Sequence, residues 1–140
     1  MAQIRRAVEN DLDAIHPVLE QLSRGEIERR RAVWRDSLTR EGYAAWIAEI
    51  DDQAAGFVDL YLFPDVSHGG TIGLVNNLVV DARFRRRGVA GGLLKEAIAY
   101  CRRHDVDELH VWTDPDNAPA LRLYEGTGFA KRAILLELQM

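Results

Sequence analysis

The chain has 140 residues, of which 47% are hydrophobic and 29% are charged, and its formal net charge is −4. This length and composition predict one globular domain over residues 1–140, large enough to bury a single core. The acidic balance disfavours a nucleic-acid partner, because proteins that bind nucleic acids usually carry a basic excess. One cysteine excludes an internal disulfide framework, and no zinc-ligand spacing occurs, so no metal is expected.

The N-terminal sequence MAQIRRAVENDL has no apolar run of the kind found in signal peptides. No stretch of the chain approaches the roughly 20 apolar residues that a membrane span requires. We therefore expect a cytoplasmic protein with no membrane partner.

Apolar periodicity and turn residues predict secondary structure in the order β-α-α-β-β-β-α-β-α-β. Six strands are predicted, over residues 3–8, 45–50, 55–63, 72–80, 108–113 and 133–138. Four helices are predicted: one capped by Asn10 and ended by Gly25, two over residues 26–40 and 89–104, and a short one that follows Asn117 and ends near Gly126. A hairpin early in the chain and a later β-α-β crossover indicate a mixed α/β fold around one sheet.

The most informative segment runs from Asn77 to Leu94 and reads NLVVDARFRRRGVAGGLL. A buried strand ends, a basic turn follows, and a helix opens with small residues. The first-turn N–H groups of a helix lack internal partners, and the helix dipole favours an anion beside them. The segment therefore predicts a pyrophosphate cradle, with positive charge supplied by Arg83, Arg85, Arg86 and Arg87.

Other interpretations of this segment carry less weight. A nucleotide P-loop needs Lys-Ser/Thr after its last glycine, and a dinucleotide fingerprint needs G-x-G-x-x-G; neither pattern is present. The arginine run is also compatible with a solvated face or a nucleic-acid patch, but the acidic chain and the apolar strand before it favour the cradle.

Residues 83–88 resemble the coenzyme A signature of the GNAT superfamily of N-acetyltransferases, Gln/Arg-x-x-Gly-x-Gly/Ala. Arg83 and Gly88 occupy its first and last positions, and Arg86 replaces the middle glycine. Residues 117–129 resemble the second signature of that superfamily, N-x-x-A-x-x-L-Y-x-x-x-G-F. Both signatures occur in the expected order, so the chain is identified as a member of the superfamily.

The resemblance implies a GNAT-like fold, with a central, mostly antiparallel sheet of six to seven strands flanked by about four helices. It also implies an acyltransferase that moves the acetyl group of acetyl-CoA to a primary amine, by direct attack through a tetrahedral intermediate. A small-molecule amine is the favoured acceptor. The alternatives are a protein lysine or N-terminal amine as acceptor, or a non-catalytic acyl-CoA-binding module.

The same resemblance implies the site residues. Backbone groups of Leu78 and Val80 would pair with the pantetheine arm, amides near Val79 would face the thioester oxygen, and Tyr124 would protonate the leaving thiolate. Ordinary core packing is the other interpretation of these apolar residues, and capping of the following helix is the other role of Asn117. The implied cofactor contacts are Leu78, Val79, Val80, Arg85, Arg86, Arg87, Gly88, Val89, Ala90, Gly91, Asn117 and Tyr124.

The resemblance does not assign the general base, because residues 74–77 lack the carboxylate that many relatives carry on this strand. Asn76 or Asn77 would orient a water or hold the substrate. The possible proton acceptors are Asp59, His68, His110 and Asp114, although a structural role is the simpler interpretation of each. Cys101 is expected to pack rather than react.

In this architecture the first two helices and their connection form a wall of the acceptor pocket. Residues 23–26 belong to that wall, loop 65–70 is another candidate wall, and the acidic candidates for holding a cationic amine are Glu26, Glu28 and Asp36. The short sequence after Phe129 predicts that one late hairpin of larger relatives is absent. The sheet edge left open there predicts a homodimer.

Overall fold

The computed structural model describes residues 1–140, and its contacts divide the chain into two units, Met1–His110 and Val111–Met140. Five strands form one sheet in the order β1-β2-β3-β4-β5. The elements in chain order are β1 (Gln3–Arg6), α1 (Leu12–Leu19), α2 (Ile27–Thr39), β2 (Tyr43–Ile50), β3 (Gln53–Asp65), β4 (Gly70–Val80), α3 (Val89–Arg103), β5 (Glu108–Val111) and α4 (Ala118–Thr127), with short 3-10 turns at Glu9–Asp11 and Ala82–Phe84.

The first four strands form an antiparallel meander. The turn between β2 and β3 consists of Asp51 and Asp52, with φ of 50° and 59°. Two positive φ values in a two-residue turn match the right-handed twist of a hairpin. On the other side of β4, the Asp107 N–H donates to the Thr71 carbonyl at 2.9 Å, and Leu109 lies against Gly73. β4 and β5 therefore run in the same direction, as a β-α-β crossover requires.

The unit Met1–His110 buries apolar side chains on both faces of the sheet. On one face, Trp34 of α2 and Leu12 and Ile15 of α1 pack with Phe57 and neighbouring strand residues. On the other face lie the buried helix side chains of α3, namely Leu93, Leu94, Ala97 and Cys101. Both layers hold β3 and β4 rigidly in the middle, which fixes the positions of the polar residues that these strands carry.

The absence of a side chain at Gly56 sets the distance between β3 and the start of α3. A Cβ atom built at Gly56 would lie 3.0 Å from side-chain carbons of Val89 and Leu93. Such contacts are tighter than normal carbon–carbon packing. The glycine thus allows the first turn of α3 to approach the strand that pairs with the end of β4.

The mixed α/β fold and the four helices are confirmed, but the predicted strand over residues 133–138 is wrong. Residues 130–140 form no ladder with any strand, so the sheet has five strands rather than six or seven. A strand is defined by hydrogen bonds to a neighbour, and alternating apolar residues alone do not supply that neighbour. The single domain over residues 1–140 stays a prediction, and no helix has the length and apolarity needed to cross a membrane.

The predicted boundaries at the N-terminus also need correction. β1 ends at Arg6 and α1 ends at Leu19, several residues before Gly25. Asn10 does not cap α1, because it lies inside the 3-10 turn Glu9–Asp11. That turn is closed by the Asp11 carboxylate, which accepts the Val8 N–H at 2.7 Å.

Candidate active site

The entrance to α3 carries an unbroken run of free backbone donors. None of the N–H groups from Arg85 through Gly91 donates a hydrogen bond within the chain. Gly88 is the N-cap, with φ of 76° and no side chain to satisfy the first turn, and that turn contains no acidic residue. Free amides at a helix start, reinforced by the helix dipole, form a binding site for an anion.

Arg86 explains how this site forms without the glycine of the family pattern. Its φ is 62°, in the left-handed region that glycine adopts readily, and Gly88 two residues later has φ of 76°. Left-handed residues alternating with ordinary ones turn successive N–H groups into one concavity, an arrangement known as a nest. The backbone thus keeps the conformation suited to glycine while the Arg86 side chain adds a charge.

The four arginines of this turn are not equivalent. Arg83 binds the buried Asp81 carboxylate through its guanidinium at 3.0 Å and its own N–H at 2.8 Å, which lowers the pKa of Asp81. Arg85, Arg86 and Arg87 have no carboxylate partner within salt-bridge distance. Arg83 therefore shapes the turn, and the other three leave uncompensated positive charge beside the free amides.

The end of β4 exposes backbone groups on the side away from β3. The Asp81 N–H donates to the Ala55 carbonyl, and hydrogen-bonded pairs alternate along an antiparallel ladder. Val79 is therefore the hydrogen-bonded partner of Phe57. The N–H and C=O groups of Leu78 and Val80 point away from β3. β5 has four residues and covers only the first half of β4. Leu78 and the Val80 N–H therefore offer an open strand edge directly before the nest, while the Val80 carbonyl accepts a long hydrogen bond from Arg85 Nε at 3.4 Å.

The same geometry changes the role of Val79. This residue is buried, and its backbone serves the β3–β4 ladder. Amides that face the open edge belong to its two neighbours. The prediction of a thioester contact by amides near Val79 therefore rests on the amides of Leu78 and Val80.

A bulge in β4 creates the second half of the site. The register shifts between Asp59 and Leu60, so that Asn77 lies opposite Asp59, Val75 lies opposite Leu60, and Asn76 is the extra residue. The Asn77 N–H and side-chain amide donate to Asp59 Oδ1 at 2.9 and 3.0 Å, and the Tyr43 hydroxyl donates to Oδ2 at 2.6 Å. The Asp59 carboxylate therefore replaces the missing ladder partner of the bulge.

Asp59 is a buried carboxylate without a cation. Only 5% of the residue is exposed, and no arginine, lysine or histidine lies within salt-bridge distance. Burial raises its pKa, while the three hydrogen bonds act in the opposite direction. Buried charges in proteins are normally paired, so this carboxylate is suited to a positively charged or proton-bearing ligand.

Asp59 lines a cavity of about 440 Å³ between the sheet and the first two helices. The connection of residues 23–26 forms part of its wall. Asn76, Asn77 and Tyr43 line it beside Asp59, with Arg24 and Arg29 elsewhere on the wall. Cavities of this size hold small organic ligands.

The predicted acidic residues of the helices are engaged elsewhere. Both carboxylate oxygens of Glu26 accept first-turn N–H groups of α2 at 2.9 Å, so Glu26 is a helix cap that also lines the cavity. Glu28 is bound to Arg31, and Asp36 is bound to Arg40. None of the three is free to hold an amine.

The remaining proton-acceptor candidates do not line the cavity. His68 and His110 both bind Glu108, at 2.9 and 3.0 Å. Asp114 is exposed in the segment before α4. Cys101 is buried on α3, and burial raises its pKa to about 11, as expected of a packing cysteine.

Asn117 and Tyr124 belong to the unit Val111–Met140. Asn117 caps α4, because its Oδ1 accepts the Ala120 N–H at 3.2 Å. Tyr124 packs edge-on against Phe129, and burial raises the pKa of its phenol. The Tyr124 hydroxyl has no hydrogen-bond partner in the chain. Every fully buried side-chain oxygen or nitrogen has such a partner, so the Tyr124 hydroxyl must reach the surface.

Two features of this site were not predicted from the sequence. Tyr43 lies before the strand predicted over residues 45–50, and the register of β2 and β3 brings it to Asp59. The bulge left one trace, the pair Asn76-Asn77 in an otherwise apolar strand. Such a pair marks a departure from regular strand geometry without giving its form.

The profile of the Acetyltransferase (GNAT) family matches residues 6–129. The chain belongs to this family.

Individual proteins agree with the family assignment. The chain is 34% identical over 101 residues to the L-amino acid N-acetyltransferase AaaT of Escherichia coli (strain K12), covering 69% of this chain and 60% of that protein. It is 30% identical over 131 residues to an uncharacterized N-acetyltransferase of Archaeoglobus fulgidus, covering 87% and 88%.

Among solved structures, the GNAT chain is similar to the aminoglycoside N-acetyltransferase AAC(6')-Iy in complex with CoA. The TM-score is 0.88 at 22% identity, over 100% of this chain and 95% of that one. At this identity the similarity establishes the shared fold. It agrees with the five-stranded sheet and four helices described above.

Proposed function

We propose that this GNAT protein transfers the acetyl group of acetyl-CoA to the amine of a small molecule. The observation that carries the proposal is the continuous surface formed by the open edge at Leu78 and Val80 and the free amides of residues 85–91. The chain spans 60% of the E. coli relative, whose name states an amino acid acceptor, and a similar structure contains CoA. The name of the relative and the CoA in the similar structure both support acetyl transfer from acetyl-CoA to a small amine.

The residues present fit a coenzyme A diphosphate. Free N–H groups and the helix dipole would hold its oxygens, and Arg85, Arg86 and Arg87 would compensate its charge. Backbone groups of Leu78 and Val80 would pair with the amides of the pantetheine arm, as an added strand does. Val89, Ala90 and Gly91 supply first-turn amides, and Asn117 would be a further contact of the coenzyme.

When bound, acetyl-CoA supplies an activated acetyl group on sulfur. The neutral amine nitrogen bonds to the acetyl carbon, the carbon–sulfur bond breaks, and the electron pair leaves with sulfur. Tyr124, whose raised pKa keeps the phenol protonated at neutral pH, is assigned as the acid that protonates the thiolate.

The amine must first lose the extra proton of its ammonium form. Of the four predicted acceptors, Asp59 is the one that lines the cavity, so we assign the proton to Asp59, directly or through a water. Its raised pKa brings it closer to that of a useful base. Asp59 passes this ammonium proton on to solvent. The nitrogen loses a second proton when the amide forms, and that proton balances the one that sulfur takes from Tyr124.

The cradle is tested with Gly91→Glu against the matched variant Gly91→Gln. A side chain at Gly91 meets no atom within 4 Å, and an acidic residue in the first turn of a helix is favourable, so both variants should fold as well as the parent. We expect Gly91→Glu to weaken CoA binding at least about tenfold more than Gly91→Gln, because its carboxylate repels the diphosphate.

The measurements are CoA affinity by calorimetry and thiol release from acetyl-CoA with a panel of amines, amino acids and a peptide N-terminus. Equal CoA affinity in the two variants would show that the cradle is elsewhere. CoA binding without turnover of any amine would instead favour a non-catalytic binding module. Preference for the peptide would favour a protein acceptor.

A further inference from the structure

The cavity combines one buried negative charge with free positive charges on its wall. Asp59 is buried and has no cation partner. Arg24 and Arg29 line the same cavity, are exposed, and have no carboxylate within salt-bridge distance. A single cavity thus presents both a carboxylate and guanidinium groups that have no salt-bridge partner in the chain.

The two free arginines contrast with the others of α2 and its connection. Arg30 binds Glu20, Arg31 binds Asp13, and Arg35 binds Glu9. Arg30 lines the cavity as well, so Arg24 and Arg29 are the lining arginines that have no carboxylate partner. Glu26 attracts Arg29 by its charge but makes no salt bridge with it, and both Glu26 oxygens already accept backbone N–H groups.

We infer that the acceptor is an amino acid with an apolar side chain, its amino group at Asp59 and its carboxylate at Arg24 and Arg29. This inference rests on the proposed function and narrows its substrate class. Arginine is the side chain best suited to bind a carboxylate through two parallel hydrogen bonds. The apolar part of the cavity wall, which includes Leu19, Leu22, Val33 and Phe57, suits an apolar side chain.

The carboxylate contact is tested with amino acids and their decarboxylated amines. The pairs are L-leucine with 3-methylbutylamine and L-phenylalanine with phenethylamine. The variant is the double substitution Arg24→Ala and Arg29→Ala. For each compound, kcat/KM of the wild type is divided by kcat/KM of the variant. This ratio cancels the differences between the pKa values of the amines themselves.

We expect the double variant to lower kcat/KM for at least one amino acid by about tenfold or more, which is the scale of a lost charge-assisted contact. Its decarboxylated amine should change less than about twofold. The control is Arg31→Ala with Arg35→Ala, two arginines of α2 that do not line the cavity, and it should leave all four values unchanged. Equal effects on an amino acid and its amine, or no effect on either amino acid, would overturn the inference.

Direct binding separates this inference from the proposed function. Calorimetry with the CoA-loaded protein measures L-leucine, L-phenylalanine and the two amines without turnover. Arginine-dependent binding of an amino acid, with no acetylation of any compound, would overturn the proposed function and support the assignment of the cavity. Suppose instead that the simple amines are acetylated and that amino acid binding does not depend on the arginines. This result would support the proposed function and overturn the assignment of the cavity.

Asp59→Asn supplies the second variant. This substitution should lower kcat/KM for the amino acid and for the simple amine by similar factors, because both compounds present an amine to Asp59. Loss confined to the amino acid would contradict the placement of the amine.

Discussion

Tyr124 is the residue that most directly links the proposal to catalysis. The variant Tyr124→Phe removes the acidic proton and keeps the ring that packs against Phe129. We expect kcat to fall about 10²- to 10⁴-fold, the usual contribution of a positioned acid, while the dissociation constant for CoA changes less than about threefold. Thiol-release kinetics and CoA calorimetry measure the two quantities.

A matched control for this variant is Tyr100→Phe. Tyr100 packs against Trp46 and His104 on α3, and its hydroxyl makes no hydrogen bond within the chain. Its substitution should leave kcat unchanged. If Tyr124→Phe turned over at the parent rate, Tyr124 would have no part in the proton transfer.

At the scale of single residues, the sequence predicted chemical types better than conformations. The position of Arg86 in the signature was readable, but its φ of 62° was not, because an arginine seldom adopts this conformation and nothing local demands it. Asp59 was one of four equal candidates for the base. Burial and register, which are properties of the folded sheet, single it out.

At the scale of elements, the loop between β3 and β4 is held by His68. Its two ring nitrogens lie 2.6 Å from Asp65 and 2.9 Å from Glu108 on β5, so the loop is tied to the sheet edge by a histidine that must be doubly protonated to donate to both. Hydrogen bonds that the ring donates to Asp65 and then to Glu108 raise the pKa of His68 above its usual value. Hydrogen bonds from Ser67 and then His68 lower the pKa of Asp65 to about 2.

The sign of the pH dependence follows from these shifts. A raised histidine pKa means that the contribution of His68 is complete below about pH 6.5 and is lost as the pH rises through the raised value. A lowered carboxyl pKa means that the contribution of Asp65 is complete above about pH 4 and is lost as the pH falls towards 2. The loop should therefore be held most firmly between about pH 4 and 6.5.

Hydrogen exchange of the amides of residues 66–69, corrected for intrinsic rates, measures this dependence. Protection should decrease above pH 7 in the parent, and this decrease should disappear in His68→Gln. The control His104→Gln alters a histidine that stacks on Tyr100 instead, and it should keep the parent profile. A His68 ring that titrates at or below 6.5 by NMR would contradict the prediction.

Among the elements, α3 and β4 were predictable because several local signals agree. An apolar strand, a glycine at the N-cap and a periodic helix leave little freedom, and α3 begins at Val89 as predicted. α1 was less predictable, because Asp11 binds Val8 and Arg5 rather than the helix, so Asn10 has no capping role. Competition between local hydrogen bonds decides such boundaries.

For the whole molecule, the wrong prediction was the strand over residues 133–138. The sequence AILLEL has the composition of a strand, but a strand exists only when another strand satisfies its backbone groups. Residues 130–140 are exposed and pair with no strand in the chain. Pattern alone established the propensity of the segment, and it could not establish a partner.

The same segment gives the prediction for the whole molecule, that the protein is a homodimer in which this segment finds its partner in a second copy. Ile134, Leu136 and Leu138 are each more than 80% exposed and recur every second residue, so a single chain leaves a row of apolar side chains in water. Sedimentation should give a mass near twice 15.8 kDa, and Ile134→Lys with Leu136→Lys should reduce it to one chain. Val66→Lys, at a loop residue that is 98% exposed, is the control and should leave the dimer intact. A parent protein that sediments as one chain at micromolar concentration would refute the prediction, and a dimer unaffected by the lysines would place the interface elsewhere.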